Sequence, residues 1–242
     1  MPSTFDFSGK VVLVTGVGRS GQIGHTVAHA FGKAGAHLVA ADRNAVGVAE
    51  RVKEFAAEGI DARPAAGDLT EPDVAALAVE TALKHFGRLD VLVNVAGGLT
   101  TYGPIGATTV DGFDREILIN LKTTYLMSRA AIEALAMTQG CIVNFSSIAY
   151  LRPQKNLSIY AAAKAGVAAF THCLAAELLD RQIRVNAIAP GTVRTPENVA
   201  SSGASFTHYV EIDQLTDAVM FLASPQSSGI TGHILPITNG EL

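Results

Sequence analysis

The chain has little of what marks several protein classes. Its 242 residues include two cysteines, Cys141 and Cys173. They show no metal-like spacing, so two buried thiols in a reducing compartment are favoured over a disulfide, and no metal is expected. It has no basic block: 18 Lys and Arg against 22 Asp and Glu leave a net charge of −4, which argues against electrostatic capture of nucleic acid. The longest apolar runs fall short of a bilayer span. The opening MPSTFDFSGK carries Asp6 and has no apolar h-region, so it does not read as a signal peptide. A soluble, cytoplasmic protein without a membrane or nucleic-acid partner is the expectation.

Apolar residues and glycine are plentiful: 48% hydrophobic, with 23 glycines. The length is enough to bury a core within one large domain. Short Val- and Ile-rich runs occupy 10–16, 37–42, 89–97, 141–147, 183–191 and 232–238. Their near-continuous apolarity suits strands covered on both faces, as in a parallel sheet. The run at 61–69 is weaker, being interrupted by Pro64. Ala-rich amphipathic segments at 22–34, 44–58, 71–86, 111–138, 157–180 and 211–224 alternate with the runs. The alternation predicts a single α/β domain over 1–242, built on a doubly wound parallel sheet. Only 195–208, polar and without periodicity, departs from it. It reads either as a lid over a ligand site or as a surface connection.

The first run leads through Gly16, Gly18, Gly21 and Gly24 into a helical segment. Glycines let backbone approach a pyrophosphate, and a helix N-terminus offers N–H groups to it. Asp42 closes the second run, 18 residues beyond Gly24, where a carboxylate can accept both hydroxyls of an adenosine ribose. That combination points to a Rossmann-type sheet with NAD as cofactor. Asp68 in AAGDLT reads as a contact to the adenine edge or as the cap of the next helix.

In SSIAYLRPQKNLSIYAAAK, Tyr160 and Lys164 stand at i and i+4 on one helix face. A phenol titrates near pH 10 and needs a neighbouring positive charge to act as a base near neutrality. Lys164 is placed to supply it. Ser147, thirteen residues before Tyr160, can hold a substrate oxygen while Tyr160 exchanges its proton.

Together these motifs resemble the short-chain dehydrogenase/reductase family, in its compact single-domain branch. The resemblance runs over nearly the whole chain: TGVGRSGQIG, GDL at 67–69, NVAG at 94–97, Asn120 in ILINLKTTY, YAAAK, NAIAPGTVRT at 186–195 and FLASPQSSGITG at 221–232. It implies Tyr160 as general acid/base and Lys164 as the residue that binds nicotinamide ribose and lowers the phenol's pKa. It implies Ser147 as the substrate-orienting hydroxyl and Asn120 as the holder of a water in a proton relay. Cofactor contacts implied are Gly16, Gly21, Ile23, Gly24, Asp42, Arg43, Asp68, Leu69, Asn94, Ala96, Gly97, Pro190, Val193 and Thr195, besides Tyr160 and Lys164. The glycine loop is two residues longer than the family pattern, which leaves open which amides meet the phosphates.

The implied activity is NAD-dependent interconversion of a secondary alcohol and a ketone. Alternatives that share the motifs are a 3-oxoacyl thioester reductase and a non-catalytic dinucleotide-binding regulator. Thr100, Thr101, Tyr102, Ala149, Leu151 and Leu157 are candidate pocket residues, and their mostly apolar character suits a neutral small molecule. Arg152 either turns inward toward an anionic substrate group or faces solvent. The segments 111–138 and 157–180 carry apolar residues beyond what one sheet face covers, among them Leu121, Leu126, Met127, Phe170 and Leu174, and relatives pair such helices in a homotetramer.

Overall fold

A computed structural model describes residues 5–152, 154–201 and 208–240. Strands and helices alternate: β1 (Val11–Thr15), α1 (Ile23–Lys33), β2 (His37–Asp42), α2 (Ala45–Ala57), β3 (Ala62–Ala66), α3 (Pro72–Phe86) and β4 (Val91–Asn94). There follow α4 (Val110–Ile117), a π-turn (Leu118–Lys122), α5 (Thr123–Thr138), β5 (Cys141–Phe145), α6 (Ser158–Glu177) and β6 (Arg184–Pro190). Short α7 (Pro196–Ser201), α8 (Ile212–Ala223) and β7 (Ile234–Ile237) complete the order.

The strands form one parallel sheet in the order β3-β2-β1-β4-β5-β6-β7. All five residues of β1 are buried, yet they serve two cores. Val12 and Val14 join Phe31 of α1, Phe55 of α2 and Leu215 of α8 on one side. Val11 and Leu13 join Ala78 of α3, Met127 and Leu135 of α5 and Leu174 of α6 on the other. Strand alternation sends successive side chains to opposite faces, so helices on both faces leave no solvent-facing position in the run. Each such large side chain contributes roughly 1.5–3 kcal/mol by its burial. Pro64 sits in β3 at the sheet edge, the place where a missing N–H is tolerated.

Three expectations need correction. The segment 111–138 is not one helix, because the π-turn at Leu118–Lys122 divides it. The Asn120 side chain donates to the Glu116 carbonyl at 3.0 Å, entering the hydrogen-bond ladder of the helix and displacing its regular spacing. Second, Cys141 is buried in β5 but Cys173 is exposed. Third, α6 is long and apolar enough, by length and composition alone, to cross a bilayer. Here it packs on β5 and β6 and holds Lys164 inside the fold at 5% exposure.

The sheet order reverses direction between β1 and β4, which opens a crevice beyond the carboxyl ends of those strands. The candidate site lies there.

Candidate active site

The glycine loop after β1 is shaped by what it excludes. A Cβ on Gly24 would fall 2.2 Å from the Gly16 carbonyl oxygen, so α1 can begin this close to the strand only with glycine there. Gly16 and Gly21 hold φ of 77° and 68°, values that side chains disfavour. Two loop amides are already taken: Gly18 N–H donates to the Asp42 Oδ2 at 2.9 Å, and Gly21 N–H to the His25 Nδ1 at 3.0 Å. No side chain caps the first turn of α1, which leaves the Ile23 and Gly24 end as the donor surface for an anion. The added loop residues also reach α7, where Arg19 pairs with Glu197 at 2.6 Å and Gly21 lies against Pro196.

Asp42 ends β2 and bridges two turns, accepting from Gly18 N–H and, through its Oδ1, from Asn44 N–H at 2.9 Å. Arg43 beside it is exposed. Asp68 follows β3 and accepts from the backbone N–H and hydroxyl of Thr70 at 3.0 and 2.8 Å. These bonds hold its carboxyl below the usual range. It does not cap α3, whose N-cap is Glu71 with Pro72 behind it. Leu69 is buried beside it.

After β4 the chain passes close to the glycine loop: Ala96 N–H donates to the Thr15 hydroxyl at 2.9 Å, and Gly16 abuts Ala96. Asn94, expected on the adenosine side, directs its amide inward to Ser128 at 3.1 Å and Asn144 at 2.9 Å. Its side chain is thus part of the sheet's interior network. Gly97 has φ of 147°, and a Cβ there would meet the Asn120 Oδ1 at 2.6 Å.

Ser147 emerges from β5 and is nearly buried. Its hydroxyl accepts from Ala149 N–H at 3.2 Å and stands close enough to the Tyr160 phenol to favour the phenolate. Neighbouring Ser146 instead donates to the Lys164 carbonyl at 2.9 Å, on the helix backbone. Lys164 Nζ donates to the Phe145 carbonyl at 2.9 Å and lies 5.8 Å from the Tyr160 ring centroid. Burial pulls the ammonium down to about 8, against the opposing charge of Glu116. Burial raises the Tyr160 phenol, the Ser147 contact lowers it, and the Glu116 charge raises it again. Burial outweighs the opposing Ser147 contact, so the phenol stands above its ordinary value in this arrangement.

A family model described as enoyl-(acyl carrier protein) reductase matches residues 16–241. The chain belongs to the short-chain dehydrogenase/reductase family. It is 36% identical over 242 residues to trans-4-hydroxycyclohexanecarboxylate dehydrogenase of Sinomonas cyclohexanicum, covering 96% of this chain and 92% of that one. It is 33% identical over 244 residues to the 3-oxoacyl-(acyl-carrier-protein) reductase of Thermotoga maritima, covering 96% and 97%. A solved 7α-hydroxysteroid dehydrogenase, complexed with NADH and 7-oxo glycochenodeoxycholic acid, superposes with a TM-score of 0.90 at 27% identity, covering 97% of this chain and 95% of that one. At family level this short-chain dehydrogenase/reductase is an alcohol/ketone oxidoreductase.

In this family member, Asn120 sits in the π-turn and joins loop to helix. Its Nδ2 donates to the Gly98 carbonyl at 2.9 Å, and its Oδ1 accepts from Gly98 N–H at 3.0 Å. Pro190 ends β6, Val193 is buried in a bridge to Val210, and the buried Thr195 accepts from Asn198 N–H at 3.2 Å. The polar stretch 195–208 begins with α7, and 202–207 lies outside the described residues. Of the pocket candidates, Ala149 is buried, Leu157 half-buried, and Tyr102, Leu151 and Arg152 exposed. Thr100 and Thr101 are bound to Glu116, a buried carboxylate that motif reading passed over, as it did His25. The uncapped α1 terminus and Asp42 suit a nicotinamide dinucleotide, offering N–H donors to a phosphate and a carboxylate to a ribose. The phenol and the serine hydroxyl can share a proton with a third oxygen placed between them.

Proposed function

We propose that this protein interconverts a secondary alcohol and a ketone with NAD, Tyr160 exchanging the proton with the substrate oxygen. The Ser147 hydroxyl beside the Tyr160 phenol, with Lys164 Nζ 5.8 Å from the phenol ring, carries the reading. The nicotinamide, when bound, gives or takes the hydride. Ser147 orients the substrate oxygen. Tyr160, raised above the ordinary phenol range, is protonated at neutral pH and so serves as donor toward a ketone. Lys164 holds its charge below about pH 8 and is assigned to the nicotinamide ribose. Ile23 and Gly24 receive the pyrophosphate, and Asp42 the adenosine ribose. The stretch from Thr195 to His208 is assigned as the lid over this crevice.

Substrates that the relatives' names carry, a hydroxycyclohexanecarboxylate and an oxo bile acid, are ring compounds with a secondary oxygen. The apolar Ala149, Leu151 and Leu157 suit the ring of such a molecule, apart from its carboxylate. Replacing Tyr160 with Phe keeps the ring and removes the proton. With NAD and a panel of cyclic secondary alcohols, kcat should fall by about 10²–10⁴-fold, with NAD affinity by calorimetry little changed. Retained turnover in Tyr160→Phe rejects the reading.

The 3-oxoacyl thioester reductase remains the second reading, favoured by the Thermotoga maritima relative. A preference for NADPH and acyl thioesters in the same assay would select it. A homotetramer is proposed as the assembly. Leu126, Met127 and Leu174, expected on its interface, are buried within the chain, whereas Phe113 and Tyr125 stay exposed and Phe170 half-exposed. Light scattering should give four chains, and a monomer at micromolar concentration would exclude this assembly.

A further inference from the structure

Glu116 is fully buried, with 0% of its surface exposed. Its Oε2 accepts from Thr100 N–H at 3.0 Å, the Thr100 hydroxyl at 2.6 Å and Thr101 N–H at 2.9 Å. Its Oε1 accepts from Asn120 Nδ2 at 3.1 Å. Every contact is donated to it, the pattern of an acceptor-only carboxylate. It stands at the end of α4, where the π-turn carries the helix on into α5. Among the described residues it has no ion-pair partner in contact. Burying a carboxylate with no cation in contact is costly, so the charge calls for a role.

α4 packs against α6, and the Glu116 charge acts on both Tyr160 and Lys164. The other charged groups on the elements packed around α6 lie elsewhere. Asp111, Asp114 and Arg115 on α4 and Lys122 on the π-turn are exposed. Arg184 of β6 is bound to Leu222 and Ser227, away from the phenol, and Arg181 beyond α6 pairs with Glu133. Tyr150 on the turn after Ser147 is a neutral phenol raised by burial, and Glu177 is an exposed residue at the far end of α6.

We propose that Glu116 is a positioning residue of this site, a carboxylate that fixes the Asn120 amide and the 98–101 loop and sets the electrostatic field in which the Tyr160–Lys164 pair titrates. The proposal rests on the reading of Tyr160 as proton donor. Asn120 can present only one orientation, because Glu116 takes its amide N–H while Gly98 N–H faces its carbonyl oxygen. The same carboxylate holds Thr100 and Thr101 at the substrate side. A negative charge nearby favours the neutral phenol and the protonated amine alike. It thereby keeps Tyr160 a donor and Lys164 a cation over a wider pH range.

The test is a phenolate titration by ultraviolet absorbance, without cofactor, taking the difference from Tyr160→Phe in each background to isolate Tyr160. Glu116→Gln should move the Tyr160 midpoint to lower pH and move the alkaline limb of ketone reduction the same way, with kcat reduced by less than about a hundredfold. Glu116→Asp, which keeps the charge, should leave the midpoint near that of the unmodified protein. Glu116→Met gives the same sign as Glu116→Gln should the Gln amide fold poorly opposite Asn120. An unmoved or raised midpoint in a folded uncharged variant overturns the proposal, whatever happens to kcat. The titration needs no turnover, so it fails separately from the reading of Tyr160, which falls only if Tyr160→Phe remains active.

Discussion

Two buried carboxylates stand at opposite ends of the sheet and are treated in opposite ways. Asp90, at the amino end of β4, is met by the Lys10 ammonium at 3.2 Å and by two Arg88 nitrogens at 2.8 and 2.6 Å, with Val11 N–H at 3.0 Å. Glu116, at the carboxyl end, receives only neutral donors. A charge compensated by contacting cations is a fastener, because its field is cancelled where it stands. A charge held by dipoles alone still acts on its surroundings, here on Tyr160 and Lys164. The amino end of the sheet thus reads as structure and the carboxyl end as site, in line with the general placement of ligands in such sheets.

The sharpest way to break that contrast is at the fastener. Asp90→Asn leaves Lys10 and Arg88 without their counter-charge, and since these cations are 45% and 42% exposed the loss is about 1–2 kcal/mol, below that of a fully buried pair. Its sign with pH follows from the pairing. Burial alone would raise the Asp90 carboxyl, but Arg88, Val11 N–H and Lys10 together hold it below its ordinary 3.8. A depressed carboxylate stabilises the fold above its unfolded value, and that contribution is lost as pH falls through the folded one. Urea unfolding at neutral pH should therefore show the loss, and Asp90→Asn should lose less on acidification below about pH 4 than the unmodified protein. Its kcat should remain unchanged, since nothing at the carboxyl end contacts Asp90. A fall in kcat at equal folded fraction would dissolve the division between the two ends.

The legibility of the sequence follows the same division of causes. Strands buried on both faces leave continuous Val and Ile runs, and all six of the stronger runs contain strands. The glycine loop was legible because tight backbone approach permits nothing else, as Gly24 against Gly16 demonstrates. The thirteen-residue spacing to Tyr160 pointed to Ser147, while the neighbouring Ser146 bonds the Lys164 carbonyl. The π-turn was not legible, since it depends on an Asn120 side chain reaching Glu116 and Gly98 across the fold. Glu116 itself stands in DREILIN beside exposed Asp114 and Arg115, so it looks like one more solvated charge. The available signal was its position four residues before Asn120, on the same helical face. His25 left no signal at all, because its role against Gly21 exists only once the lengthened loop has folded.

The smaller effect lies at the cofactor half of the carboxyl end, where Asp42 sharpens the comparison by belonging to neither class. Its carboxylate holds the fold lightly, through Gly18 N–H and Asn44 N–H, yet in the proposed reading it also receives the adenosine ribose. A 2′-phosphate there would meet a like charge at close range, so NAD should exceed NADP in kcat/KM. Asp42→Ala removes the repulsion and leaves the exposed Arg43 free to pair with the phosphate. It also removes two acceptors, worth about 1 kcal/mol each, from turns that line the cofactor path. NAD should consequently lose about tenfold in kcat/KM, mostly through KM, while NADP gains, and the ratio between them narrows. Asp42→Asn, which keeps an acceptor for one of the two N–H groups, should lie between. Steady-state kinetics with both cofactors decide the point: equal use of NADP by the unmodified protein would mean that the Asp42 carboxylate, like that of Asp90, serves only to fasten the fold.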